Sequence, residues 1–303
     1  MSRLFGRVIR VEVEGPGGSA TFFGDQHDEP GLQIAFTCTL SIGSKPNNGT
    51  VSITNLSEAR RKMLGNEYTT LTLLAGYKDT GPEILFRGQI RDSASGTKGS
   101  GKREKPDIIT TIEVGDGDKA FNQGKASKTF KAGTKPKEIV EYLRKQMPGV
   151  TKGQIKGLDD LPATKRSTVL YGKAYREMDT LGRKHGFYWS IQNGELQIVK
   201  SDEHLGNPVL ISAETGMLGS PVITDKGCTV TTLIIPGLRV GHLIDVRSNF
   251  LDTGAGGQRD KRGTDSGGGL FRVAAMSLEG NSRDDDFQAE IEAHRVQGDK
   301  VKK

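Results

Sequence analysis

The chain has 303 residues, of which 34% are hydrophobic and 26% charged, with 43 basic and 37 acidic side chains giving a net charge of +6. That is a soluble composition, long enough for two or three cores. Its charge permits contact with nucleic acid or an acidic protein face but demands neither. Forty-one glycines against one tryptophan suit many turns and long loops and exclude a helical bundle, while two cysteines exclude a disulfide framework or a cysteine metal site. Met1-Ser2-Arg3-Leu4-Phe5-Gly6-Arg7 has no apolar run of signal-peptide length, and nothing approaches a membrane span. The expectation is a protein made in a reducing cytoplasm, with Cys38 and Cys228 as buried thiols.

From residue 1 to about 116, period-2 alternation predicts strands at Arg7–Val13, Gln33–Ile42, Gly49–Asn55, Tyr68–Tyr77, Ile84–Asp92 and Asp107–Val114. Between two of them, Asn55 can cap a short helix whose apolar side is Leu56, Ala59, Met63 and Leu64. Ser95 to Pro106 reads as a polar, glycine-rich loop carrying Lys98, Lys102, Arg103 and Lys105. From about 117 to 207 the texture changes to α+β. Pro136 opens a helix that ends at Pro148-Gly149, and a second runs from Lys173 to His185. Phe187 to Val199 is a hairpin around Asn193-Gly194. From about 208 to 303, strands are expected at Val209–Ser212, Gly227–Leu233, His242–Ser248, Leu270–Glu279 and Phe287–Arg295. Residues 252–269, almost all glycine and charge with Arg259, Lys261 and Arg262, form a long excursion that cannot build a core.

No catalytic pattern emerges. The histidines His27, His185, His204, His242 and His294 have no metalloprotease spacing. Asp284-Asp285-Asp286 lacks the ligand spacing of a calcium loop and reads as a solvated turn. Neither glycine-rich stretch leads into a helix as a phosphate cradle would, and aromatics are not interleaved with the basic runs. No cofactor is expected. Two readings outside a structural role stay open: a peptidoglycan hydrolase whose carboxylates meet in space, and a nucleic-acid- or sugar-binding β protein.

Three stretches carry a family likeness: Gly49 to Ser57 followed by Ala75-Gly76-Tyr77 and Phe86-Arg87-Gly88-Gln89-Ile90; the helix and hairpin of Ala174 to Val199; and Ile211 to Pro221 leading to Leu238 to Val246. In this order they resemble the baseplate hub proteins of contractile-tailed bacteriophages, which are related to the late control protein D family and to the hub part of secretion spikes. The resemblance implies a mainly β fold with an α+β insertion: two tail-tube-like β-barrel domains, at 1–116 and 208–303, flanking the 117–207 region. It further implies a homotrimeric ring in the virion's tail baseplate, assembled in the host cytoplasm and joining a hexameric tail tube to a trimeric central spike beside other baseplate proteins, with DNA passing through its lumen. Each chain would supply two similar halves to match six-fold symmetry. No lysozyme-like region is seen, so cell-wall cleavage is expected of another protein. Ring contacts are expected from Asn55, Leu56, Arg60, Arg61, Lys98, Lys102, Arg103 and Lys105. Arg259, Lys261 and Arg262 join them on loop length and composition alone.

Overall fold

A computed structural model of the chain describes residues 6–24, 30–98, 106–224, 226–248 and 267–295. It is mainly β, 58% strand against 14% helix. The first part holds β1 (Arg7–Gly15), β2 (Gly18–Phe23), β3 (Ile34–Ser41), β4 (Asn48–Thr54), α1 (Glu58–Met63), β5 (Thr70–Tyr77), β6 (Gly81–Lys98) and β7 (Asp107–Gly115). Next come α2 (Asp118–Gln123), β8 (Lys125–Phe130), α3 (Pro136–Lys145), β9 (Thr151–Lys156), β10 (Thr168–Lys173), α4 (Ala174–His185), β11 (Phe187–Gln192) and β12 (Glu195–Lys200). The last part holds β13 (Leu205–Ile211), β14 (Met217–Ile223), β15 (Gly227–Leu233), β16 (His242–Ser248), β17 (Gly267–Asn281) and β18 (Phe287–Arg295).

Among the described residues, thirteen strands from the first and last parts form one sheet. Its path runs β14-β15-β18-β17-β3-β4-β7-β6-β5-β1-β2, with β16 beside β17 and β13 beside β16. The seam is the antiparallel pairing of β17 with β3, from Ala275 opposite Ser41 to Asn281 opposite Ala35. Alternation explains why these segments are strands. On β3 the buried residues are Ile34, Phe36, Cys38 and Leu40; on β18 they are Phe287, Ala289, Ile291 and Ala293, with Glu290 and Glu292 facing solvent. The inward residues of both parts share one apolar core. Each large side chain so buried contributes about 1.5–3 kcal/mol.

Aromatic contacts tie the parts together. Phe287 meets the Phe36 ring edge-on at 6.5 Å and the Tyr77 ring edge-on at 5.5 Å. The Tyr77 hydroxyl donates to the Ile234 carbonyl at 2.9 Å, and burial pushes its pKa up to about 12. Arg7 lies 5.7 Å from the Phe287 ring centroid, donates to the Asp284 carbonyl and pairs with Asp285 at 3.7 Å. The acidic run is thus a turn that fastens the start of β1. Cys38 and Cys228 are buried free thiols, their pKa raised to about 12 by desolvation.

The 118–200 segment has its own core, built from Ile139, Val140, Leu143, Met178, Leu181, Trp189, Leu196 and Ile198. α3 and α4 pack against two small sheets, β11-β12-β9 and the ribbon β10-β8. Trp189 stacks on Phe121 at 6.0 Å and donates to Asp179 at 2.8 Å.

The structure corrects several expectations. Ser57, not Asn55, caps α1, so Leu56 lies before the helix and is buried in the large core. Asn55 instead adopts φ 58°, a left-handed conformation that asparagine tolerates, and exchanges hydrogen bonds with the backbone of Ile108. The expected loop from Ser95 begins later, because β6 continues to Lys98 in register with β7, with Ser95 opposite Thr110. β2, β8, β9, β10, β14 and α2 were not expected from the sequence.

Candidate assembly surfaces

The sequence-predicted contact residues divide sharply. Arg60 is exposed on α1 and donates to the Tyr68 hydroxyl at 2.8 Å; Arg61, on the same helix, is half-buried. Asn55 is exposed, its amide donating to Asp107 at 2.9 Å. Leu56 presents no surface, being buried. Lys102, Arg103, Lys105, Arg259, Lys261, Arg262 and the side chain of Lys98 lie outside the described residues, as does most of the 252–269 excursion. Of the expected contact residues that are described, Asn55 and Arg60 are exposed and Arg61 is half-buried.

A polar joint, absent from the sequence reading, holds the middle module to the sheet. Asp116 follows directly on β7 and is 1% exposed. Its carboxylate accepts from the backbone N–H groups of Asn193 (2.5 Å) and Gly194 (2.9 Å), at the tip of the β11–β12 hairpin. Both turn residues have positive φ, 56° and 80°, as a two-residue hairpin turn demands, and this aims their N–H groups at Asp116. Asn47 is buried beside them. It accepts from the Ser41 N–H and donates to the Ile191 carbonyl, each at 2.9 Å. Gln192 donates to the Ser41 carbonyl at 3.0 Å, and Arg91 on β6 forms a two-pronged pair with Asp118 at 2.6 and 2.7 Å. Burial raises the Asp116 pKa to about 7, although the backbone hydrogen bonds pull it the other way. On the other side of the module, the buried guanidinium of Arg272, on β17, donates to the carbonyls of Lys200, Ser201 and Glu203 at 3.1, 3.1 and 2.8 Å. Desolvation lowers its pKa. One signal in the sequence pointed here: the Asn193-Gly194 turn.

The two ends of the sheet path, β2 and β14, each pair on one side only. β2 carries Phe23, 53% exposed, and just beyond it Gly24 bridges to Leu32. The opposite end is blunted. β14 contains Pro221 and a bulge between Leu218 and Val222, while β13 contains Pro208; proline and bulges discourage uncontrolled strand pairing. Leu210, Leu218 and Val222 are partly exposed there. A groove of about 620 Å³, lined by Leu210, Met217, Glu214, Asp245 and Arg247 among others, opens at this end, beside Ser248 where β16 stops. This is an edge-blunted surface of mixed apolar and charged side chains, suited to contact through side chains. Among the described residues, no group of three or more histidines, cysteines or carboxylates converges as a metal site, and no helix is long and apolar enough to cross a membrane.

Comparison with known proteins gives a consistent picture. The family model described as "Baseplate hub gp41" matches residues 8–257. No curated protein matches the chain. The fold is similar to that of a tail protein from Neisseria meningitidis MC58, with TM-score 0.59 and 11% identity over 96% of this chain and 97% of the other. It is similar to the 43 kDa tail protein of prophage MuSo2 from Shewanella oneidensis, with TM-score 0.58 and 9% identity over 95% and 97%. It is also similar to the E. coli c3393 protein, a type VI secretion component described as resembling T4 tail proteins, with TM-score 0.55 and 10% identity over 88% and 74%. At such identities the likeness is one of fold.

Proposed function

This chain belongs to the baseplate hub gp41 family and is a structural component of the phage tail baseplate; from that premise we propose that its copies join head to tail into a three-fold ring between a six-fold tail tube and a trimeric spike. The observation that carries this reading is the seam of β17 with β3. It joins strands from the two ends of one chain into a single sheet; in this reading the first and last parts of that sheet are the two β units each chain sets against a six-fold neighbour. The two ends of that sheet path differ, and unlike ends meeting head to tail close a ring when the rotation allows. Phe23 of one copy would face the Leu210, Leu218 and Val222 surface of the next. The work is mechanical: a stiff sheet with its ends covered transmits load without a reacting group. Assembly in the host cytoplasm, service in a contractile tail and passage of DNA through the lumen belong to the same reading.

Cysteine pairing tests the geometry. With Cys38 and Cys228 buried, Phe23→Cys combined with Leu218→Cys should give disulfide-linked oligomers under mild oxidation, and each single variant should not. Failure of the double variant to cross-link, in a preparation already shown to be oligomeric, would move the ring contact elsewhere.

A further inference from the structure

The ribbon of β8 and β10 stands apart from the large sheet, and its outer face is apolar and basic. Val169 is 67% exposed and Tyr171 83% exposed, two residues apart on β10 and so on one face. They stand opposite Thr129 and Ser127 on β8. The same face carries Lys125 opposite Lys173, a like-charge pair that costs stability where no anion intervenes. Lys131 follows the ribbon at the end of β8, and Lys165 and Arg166 precede it at the start of β10. No carboxylate occurs in residues 125–137 or 161–176. Among the described residues, Lys125, Lys131, Lys165 and Arg166 are exposed and form no ion pair.

The backbone is open at the same place. The Ser127 N–H donates to the Tyr142 hydroxyl at 3.2 Å, and that hydroxyl donates to the Ser127 carbonyl at 3.3 Å. Ser127 therefore turns its backbone groups away from β10, which makes Ser127–Tyr171 a non-hydrogen-bonded pair. In an antiparallel ladder such pairs alternate, so Tyr171 and Val169 both turn their N–H and C=O groups outward, along the free edge of β10. On β8, Tyr142 takes up the outward groups of Ser127. Among the described residues no hydrogen bond reaches the outward N–H and C=O groups of Val169 and Tyr171 on β10.

We propose that the free edge of β10 is a docking strand for an extended, acidic segment of a partner protein. The segment would add a third strand to the ribbon, pack its apolar side chains beside Val169 and Tyr171, and set carboxylates against Lys125, Lys131, Lys165 and Arg166. Unpaired backbone groups fit a peptide, whereas single-stranded nucleic acid would call for several spaced aromatics, and the face offers one. The inference goes beyond the ring reading and does not rest on it, since neither strand belongs to the large sheet.

The test uses the full chain and a fluorescent synthetic peptide alternating glutamate with valine, read by anisotropy. Binding that weakens as salt rises is expected. Val169→Pro removes an outward N–H without breaking a bond to β8, and Tyr171→Ser keeps the backbone while removing the apolar contact. Each should weaken binding by about tenfold or more with the thermal melt unchanged, and Lys165→Glu with Arg166→Glu should do the same. A peptide that fails to bind, binding indifferent to all these variants, or displacement by a single-stranded oligonucleotide at lower concentration would overturn the proposal.

Discussion

The large sheet and the middle module are held together by opposite means. The sheet depends on pairings between residues far apart in sequence, as where Ala275 meets Ser41 across the seam. The module closes within residues 118–200: α4 runs directly into β11, β11 returns as β12 through a two-residue turn, and β9 and β8 join β12 and β10 from earlier in the same segment. Non-local pairings form late and are lost together, whereas local ones form early and survive alone. The module thus reads as a locally built unit pinned to a cooperative frame through Asp116, Asn47 and Arg272. The chain's single tryptophan, Trp189, lies in the module, so its fluorescence follows the module while far-UV circular dichroism follows chiefly the sheet.

The largest effect should come from Phe36→Ala. Phe36 is buried at the seam against Phe287, and its truncation should cost about 3–5 kcal/mol. In urea the dichroism transition should fall to lower concentration while the Trp189 transition moves less. Equal movement of both would erase the distinction between frame and module. Next comes Asp116→Ala, which leaves the part-buried N–H groups of Asn193 and Gly194 without their acceptor, at about 1–3 kcal/mol in all. Here the Trp189 transition should separate from that of the sheet.

A pH series sharpens the same point. The folded Asp116 carboxyl titrates at about 7, against about 3.9 in the unfolded chain. The folded chain therefore holds this proton more tightly, and its contribution to stability is full below about pH 4 and is lost as pH rises through about 7. Asp116→Asn should flatten that part of the stability profile; an unchanged slope would assign it to other groups. Smallest is Ser57→Ala, which removes the cap of α1 and should cost about 0.5–1 kcal/mol on the sheet transition alone.

What was legible in the sequence follows the same division. β3 and β18 are half-buried strands with clean alternation, and Asn193-Gly194 is a turn that few other structures accommodate; both were read correctly. β8, β9 and β14 were missed because they lie at sheet edges or in a two-stranded ribbon, where Lys125-Ala126-Ser127-Lys128 or Gly219-Ser220-Pro221 need not alternate. The joint was invisible for a different reason. Asp116 sits between Gly115 and Gly117 and looks like a loop residue, while its partners are 77 and 78 positions away. Asn55 has the residue type of a cap, but its left-handed backbone turns it toward β7 and leaves the capping to Ser57.

The most direct test of the hub account is the solution mass of the chain by sedimentation equilibrium, alone and with the tail tube and spike proteins of the same phage. A species of three times 32.7 kDa, present alone or formed on adding the spike protein, is the result the account predicts. A chain that stays at 32.7 kDa at every concentration and in every mixture would contradict it.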